Sequence, residues 1–118
     1  MSDSKHAKAL AAGWILHYSD DDGYKAISSQ INWTFKASQP PGENEFGVYF
    51  TTLPPDAHRF SARTRIPKAK QKFVFAFVGT DGLLPKEGGK RKYIFWTPHD
   101  YILDEPRQAY HGLSEQLP

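Results

Sequence analysis

Residues 72–78 read K-F-V-F-A-F-V, aromatic or β-branched at nearly every position. That composition suits a packed, pleated surface, so the segment is predicted to be a strand, and the central one of its sheet. Two shorter segments have a related character: 14–19, W-I-L-H-Y-S, and 47–52, G-V-Y-F-T-T. Each sets a polar or aromatic group inside an apolar run of the kind that forms a buried strand. His17 and Tyr49 are therefore candidates to face each other across a cleft, which makes that cleft a candidate ligand site.

Turn chemistry organises the rest. Asp20-Asp21-Asp22-Gly23 supplies polar helix caps, and 24–30 (Y-K-A-I-S-S-Q) sets Tyr24 and Ile27 on one face of a short helix. Residues 31–36 (I-N-W-T-F-K) alternate apolar and polar as a half-buried strand does, and Gln39-Pro40-Pro41-Gly42 ends them. A strand over 46–51 stops at Leu53-Pro54-Pro55-Asp56, and 57–65 reads as a second short helix before Pro67. Residues 79–89 read as a loop, followed by strands over 92–96 and 101–103 separated by Thr97-Pro98-His99-Asp100. From Pro106 onward no pattern stands out, and the stretch reads as a tail. The sum is a compact α+β domain on a split or bent antiparallel sheet with one or two short helices. Its expected division is an N-terminal segment over 1–13, the domain over 14–105 and the tail over 106–118.

The chain's 118 residues, 39% hydrophobic and 14% aromatic, suffice for one core and not for two. Cysteine is absent, which removes disulfides and thiolate zinc sites, and the five histidines are scattered, so no structural metal is expected. The opening residues contain A-L-A-A but are broken by His6 and Lys8 and read as no signal peptide. No apolar stretch reaches the ~18 to 20 residues that cross a bilayer. A soluble, cytoplasmic protein with no membrane partner is expected, with export by a signal-less route left open.

Net charge is only +2, yet ten of the fifteen Lys and Arg residues fall within 59–92, against Asp81 and Glu87 alone. Local charge of this kind attracts phosphate-bearing partners such as a dinucleotide or RNA, and it equally suits a solvated face. The usual phosphate and hydrolase signatures are missing: G-x-x-x-x-G-K, a strand with G-x-G-x-x-G, G-x-S-x-G and H-E-x-x-H.

His17-Tyr18-Ser19-Asp20, Gly23-Tyr24-Lys25-Ala26-Ile27 and Gly47-Val48-Tyr49-Phe50-Thr51-Thr52-Leu53-Pro54-Pro55 follow one another in an order with a counterpart. The set resembles the HYD1-type ADP-ribosyltransferase domains, in which H-Y-T-D and G-Y-x-x-I precede G-x-Y-F-T and a proline turn. G-V-Y-F also resembles the G-I-Y-F element of the poly(ADP-ribose) polymerases, where a strand histidine, this tyrosine and a later acid form the catalytic set. The resemblance spans roughly residues 14–104. It implies an ADP-ribosyltransferase-like fold and NAD as substrate. ADP-ribose would pass to a protein or nucleic-acid acceptor, and nicotinamide would be released.

The resemblance also implies roles. His17 would hydrogen-bond a ribose hydroxyl, Tyr49 would stack on nicotinamide, and the Tyr18 backbone and Ser19 would hold its amide. Phe60, downstream of Tyr49, would close the second face, and Tyr24 belongs to the motif. The acid has competing candidates. Asp100 precedes an apolar strand as the polymerase glutamate does, Asp104 fits a P-L-D ending, and Asp81 follows the strongest strand. Losing such a carboxylate typically costs ~100-fold or more in rate. Without the resemblance, His17 reads as a core histidine and Tyr49 as a core aromatic. Two other functions stay open beside transfer: an NAD glycohydrolase on the same scaffold, and a non-catalytic basic module for RNA or an acidic protein.

Overall fold

Val74, Phe75, Ala76 and Phe77 are all buried, so the segment with the strongest strand signal is covered on both faces. The structure, a computed structural model, describes residues 6–39, 45–86 and 93–118. In chain order its elements are α1 (Ala7–Ala12), β1 (Ile15–Ser19), α2 (Asp21–Ser28), β2 (Trp33–Phe35), β3 (Val48–Thr51), α3 (Phe60–Thr64), β4 (Phe73–Phe77), β5 (Leu84–Pro85), β6 (Ile94–Thr97), β7 (Tyr101–Leu103) and β8 (Gln108–Leu113). Short 3₁₀ turns lie at Lys68–Lys70, Glu105–Arg107 and Ser114–Gln116. The result is an α+β fold of mainly antiparallel sheet with a few short helices, as the alternation and turn signals predict.

Six strands form one antiparallel sheet in the order β5-β6-β3-β1-β4-β8, and β2 pairs with β7 in a separate two-stranded sheet. Strand alternation sends successive side chains to opposite faces, and each face has its own core. On one, Ile15, Val48, Phe50, Phe75 and Phe77 meet Ile27 of α2, Trp33 and Phe35 of β2, and Tyr101 and Leu103 of β7. On the other, Leu16, Tyr18, Val74 and Ala76 meet Ala9 of α1, Trp14, Phe60 of α3 and Leu117. Layers on both sides thus exclude water from a sheet that is apolar on both faces.

Several expectations change, among them the loop over 79–89, which contains the short edge strand β5. Strand β4 is internal but sits next to the edge, while β1 and β3 hold the middle of the sheet. The stretch after Pro106 is no tail: β8 pairs with β4 through five registered residues, Leu117 is buried, and the carbonyl of Pro118 accepts from the Ala9 N–H at 2.9 Å. The opening segment likewise folds from Ala7 into α1, ended by Gly13 in the left-handed region at φ 65°. Helix α2 begins earlier than its periodicity suggests, because the Asp20 side chain accepts from the Gly23 N–H at 2.9 Å and Asp21 and Asp22 favour the positive end of the helix. The turn at 40–42 and the basic residues Lys90, Arg91 and Lys92 lie outside the described residues.

Candidate functional site

The two middle strands part company early. Strand β1 pairs with β4 along its whole length, from Ile15 to Ser19, but with β3 only where Leu16 meets Thr51. Beyond Leu16 the β3 side of β1 is left without a ladder. A cleft of about 310 Å³ fills the gap, lined by His17, Tyr18, Ser19, Asp20, Gly23, Lys36, Ser38, Gly47, Val48, Tyr49 and Lys70. Its size is at the lower end of the ~300–1,000 Å³ usual for ligand pockets. Backbone groups that would pair with a neighbouring strand are here available to a ligand.

His17 stands where the gap opens. Its ring lies 4.8 Å from that of Phe35 and 5.4 Å from that of Phe50, on top of an aromatic cluster that continues to Phe75 and Phe77. Burial among these rings lowers its pKa to about 4, against the opposing pull of a hydrogen bond to the Tyr49 carbonyl. Nδ1 lies 3.2 Å from that carbonyl oxygen. A carbonyl only accepts, so Nδ1 carries the proton, and the neutral ring keeps Nε2 as an acceptor. Such a histidine holds one tautomer across physiological pH.

Tyr49 reaches the cleft differently from the expectation of two side chains facing each other. Val48 and Phe50 project into the core that contains Phe35, so alternation turns the Tyr49 ring to the opposite face of the sheet from His17. There it stacks on Trp96, its cross-strand partner, at 5.8 Å and 14°, and its hydroxyl donates to the Glu45 carbonyl at 2.6 Å. The Tyr49 carbonyl is what meets His17. Partial burial, aided by the Glu45 carboxylate, pushes the phenol pKa up.

Tyr18 also divides between faces. Its ring packs edge-on against Phe60 at 4.9 Å and its hydroxyl donates to the Leu53 carbonyl at 2.8 Å, both in the second core, so that only its strand position borders the cleft. Burial drives that phenol's pKa far upward. Ser19 is buried at the cleft wall, its hydroxyl donating to the Asp20 carbonyl at 3.2 Å. Phe60, expected to close a second face, is buried in the opposite core and is not among the lining residues. Tyr24 also stands away from the lining: it stacks on Phe73 at 4.2 Å and its hydroxyl is 2.7 Å from His111 Nδ1, on the β8 side of the sheet.

The acid candidates separate. Oδ1 of Asp100 accepts from the Ala37 N–H at 2.8 Å, between Lys36 and Ser38, which both line the cleft. Asp104 stands beyond the other end of β7, past the Trp33 and Leu103 pair. Asp81 belongs to the turn whose backbone carbonyl accepts from the Tyr101 hydroxyl at 2.6 Å. Asp100 alone of the three stands next to the cleft wall, although none of them is a lining residue.

Seven lining residues went unseen as site residues in the sequence: Asp20, Gly23, Lys36, Ser38, Gly47, Val48 and Lys70. Asp20 reads as a helix cap, which it is. Lys36 and Ser38 reach the cleft because a two-way backbone bridge, Ser38 with Gly47 at 2.9 Å in both directions, draws the end of β2 to the start of β3. Lys70 arrives on its 3₁₀ turn. Two glycines permit the close approaches: a side chain at Gly47 would run into the Thr97 carbonyl, and one at Gly23 into the Ser19 hydroxyl. Among the described residues no group of histidine and carboxylate side chains could hold a metal ion, and no helix is long and apolar enough to cross a membrane. No family model, curated protein or solved structure matches the chain.

Proposed function

We propose that the protein binds NAD in the cleft between β1 and β3 and transfers ADP-ribose to a macromolecular acceptor, releasing nicotinamide. The fold would then be the ADP-ribosyltransferase-like member of its class. One observation carries the reading: His17, Ser19 and the backbone of Tyr18 and Tyr49 converge where the central strands separate, with His17 held neutral and its Nδ1 proton already committed.

In this reaction the bond from ribose C1′ to the nicotinamide nitrogen breaks and its electron pair leaves with nicotinamide. Positive charge grows on the ribose. An imidazolium beside it would oppose that charge, whereas a neutral imidazole accepting from a ribose hydroxyl through Nε2 raises the electron density of the sugar. The aromatic surroundings that depress the His17 pKa therefore serve the chemistry. Ser19 and the unpaired β1 edge suit the nicotinamide amide, and Lys36 and Lys70 suit the pyrophosphate. Asp100 is the carboxylate for the developing charge and for the acceptor's proton. It is joined to the cleft wall through Ala37. Tyr49 acts through its carbonyl, which fixes the tautomer of His17.

The test is release of nicotinamide from NAD by the purified protein beside His17→Ala, with cell lysate or RNA as acceptor. Release that falls ~100-fold or more in the variant supports the reading. Label left on a macromolecule selects transfer, and free ADP-ribose selects the glycohydrolase. No release together with no heat of NAD binding would leave a basic binding module and end the enzymatic reading.

A further inference from the structure

We infer that the acceptor is a single-stranded polynucleotide, held on an aromatic and cationic surface that starts at Tyr49 and follows β6. The inference rests on the NAD reading above for its chemistry, though not for its binding surface. On the face of the sheet opposite His17, the rings of Tyr49 and Trp96 are nearly parallel, and the Lys86 ammonium lies 5.7 Å from one centroid and 5.6 Å from the other. Just before that strand begins, the Arg63 guanidinium of α3 lies 4.7 Å over the Tyr93 ring.

Each unit pairs a π-face with a cation, which is what one nucleotide asks of its receptor: a surface for the base and a charge for the phosphate. An acidic peptide would use the cations and leave the rings idle. Tyr93 lies one residue before β6, and its contact with Arg63 of α3, the helix that packs on this face, sets the second unit beside the first on the same side of the sheet. The segment that supplies these cations is itself basic. Between residues 59 and 86 the chain carries Arg59, Arg63, Arg65, Lys68, Lys70, Lys72 and Lys86 against Asp81 alone, and Lys72 spends its charge on Asp21 at 3.1 Å.

Tyr49 joins this surface to the cleft, since its residue lines the cleft while its ring belongs to the tray. On the NAD reading, ribose C1′ lies beside His17 on the other face, so a base of the bound strand reaches it over the rim at Tyr49. A base nitrogen forms the new bond to C1′ as the bond to nicotinamide breaks. The electron pair leaves with nicotinamide, and the nitrogen's proton passes through the Asp100 carboxylate to solvent. A single strand is specified because a duplex hides its base faces.

The experiment is fluorescence anisotropy of the full chain with labelled mixed-sequence RNA and DNA 12-mers and with polyglutamate as control, beside nicotinamide release. The expected result is preference for an oligonucleotide over polyglutamate, with affinity falling as salt rises. Lys86→Ala and Arg63→Ala should each lower the slope of log K against log salt by ~0.7 and lower the release of nicotinamide that the oligonucleotide stimulates. Trp96→Leu, checked for folding by its thermal transition, should weaken oligonucleotide binding by ~5-fold or more. Binding of the RNA alone, the DNA alone or both identifies the acceptor. Equal binding of polyglutamate, or variants that bind like wild type, would overturn the surface. Oligonucleotide binding without nicotinamide release would overturn the NAD reading and leave the surface standing.

Discussion

His17 joins packing and protonation in one side chain. Its ring is surrounded by Phe35 and Phe50, so the charged form is penalised and the pKa falls from 6.5 to about 4. Between those two values the unfolded chain binds more protons at this residue than the folded one. Stability contributed here is complete above pH 6.5, declines as pH falls toward about 4, and changes no further below that. The span amounts to something on the order of 3 kcal/mol. His17→Gln keeps a donor for the Tyr49 carbonyl and cannot titrate, so its urea midpoint should fall less than that of the wild type between pH 7 and pH 5. Equal shifts in both proteins would show that the ring is not buried as described. The histidine was legible in the sequence as one polar residue in an apolar strand. Its tautomer was not, because that depends on a carbonyl thirty-two positions away.

Short elements separate the candidate acids more than long ones do. Strand β7 has three residues, and its two ends separate Asp100 from Asp104, a choice the sequence left open. The end carrying Asp100 faces the segment between Lys36 and Ser38, and the other end leads into the 3₁₀ turn at Glu105–Arg107. Asp100→Asn preserves an oxygen to accept from Ala37 and removes the charge. It should lower nicotinamide release by ~100-fold with NAD affinity nearly intact, as calorimetry would report. Asp104→Asn should be silent. A silent Asp100→Asn beside an inactive Asp104→Asn would reverse the assignment. Phe60 and Tyr24 show the same limit: sequence spacing measures distance along the chain, whereas α3 and α2 pack on opposite faces of the sheet. Tyr49 shows it at the finest level, since strand alternation against Phe50 already implied that its ring and that of His17 would diverge once β1 and β3 were neighbours.

The molecule as a whole is closed by its last residues. Strand β8 covers β4, Leu117 fills the second core, and Pro118 accepts from α1, tying the two ends together. A chain ending at Pro106 would expose the β4 ladder and open both cores. It should lose the cooperative thermal transition seen by near-ultraviolet circular dichroism, and a transition within a few degrees of the full chain would contradict this view. Strands β1, β2, β3, β4, β6 and β7 and the α+β class were determined by the sequence itself, because aromatic and β-branched runs, Asp caps and Pro-Gly stops act over a few residues, whereas the two-residue β5 falls in a stretch that reads as a loop. The end of the chain was hidden because Q-A-Y-H-G-L lies on an edge, half-exposed, with no apolar run to betray it. The cleft, the tautomer of His17, the nearness of Asp100 and the arrival of Lys36 and Lys70 were decided only by tertiary structure. The cleft depends on where β1 and β3 separate, Asp100 on the pairing of β2 with β7, and Lys36 on the bridge from Ser38 to Gly47, contacts between segments far apart in the chain.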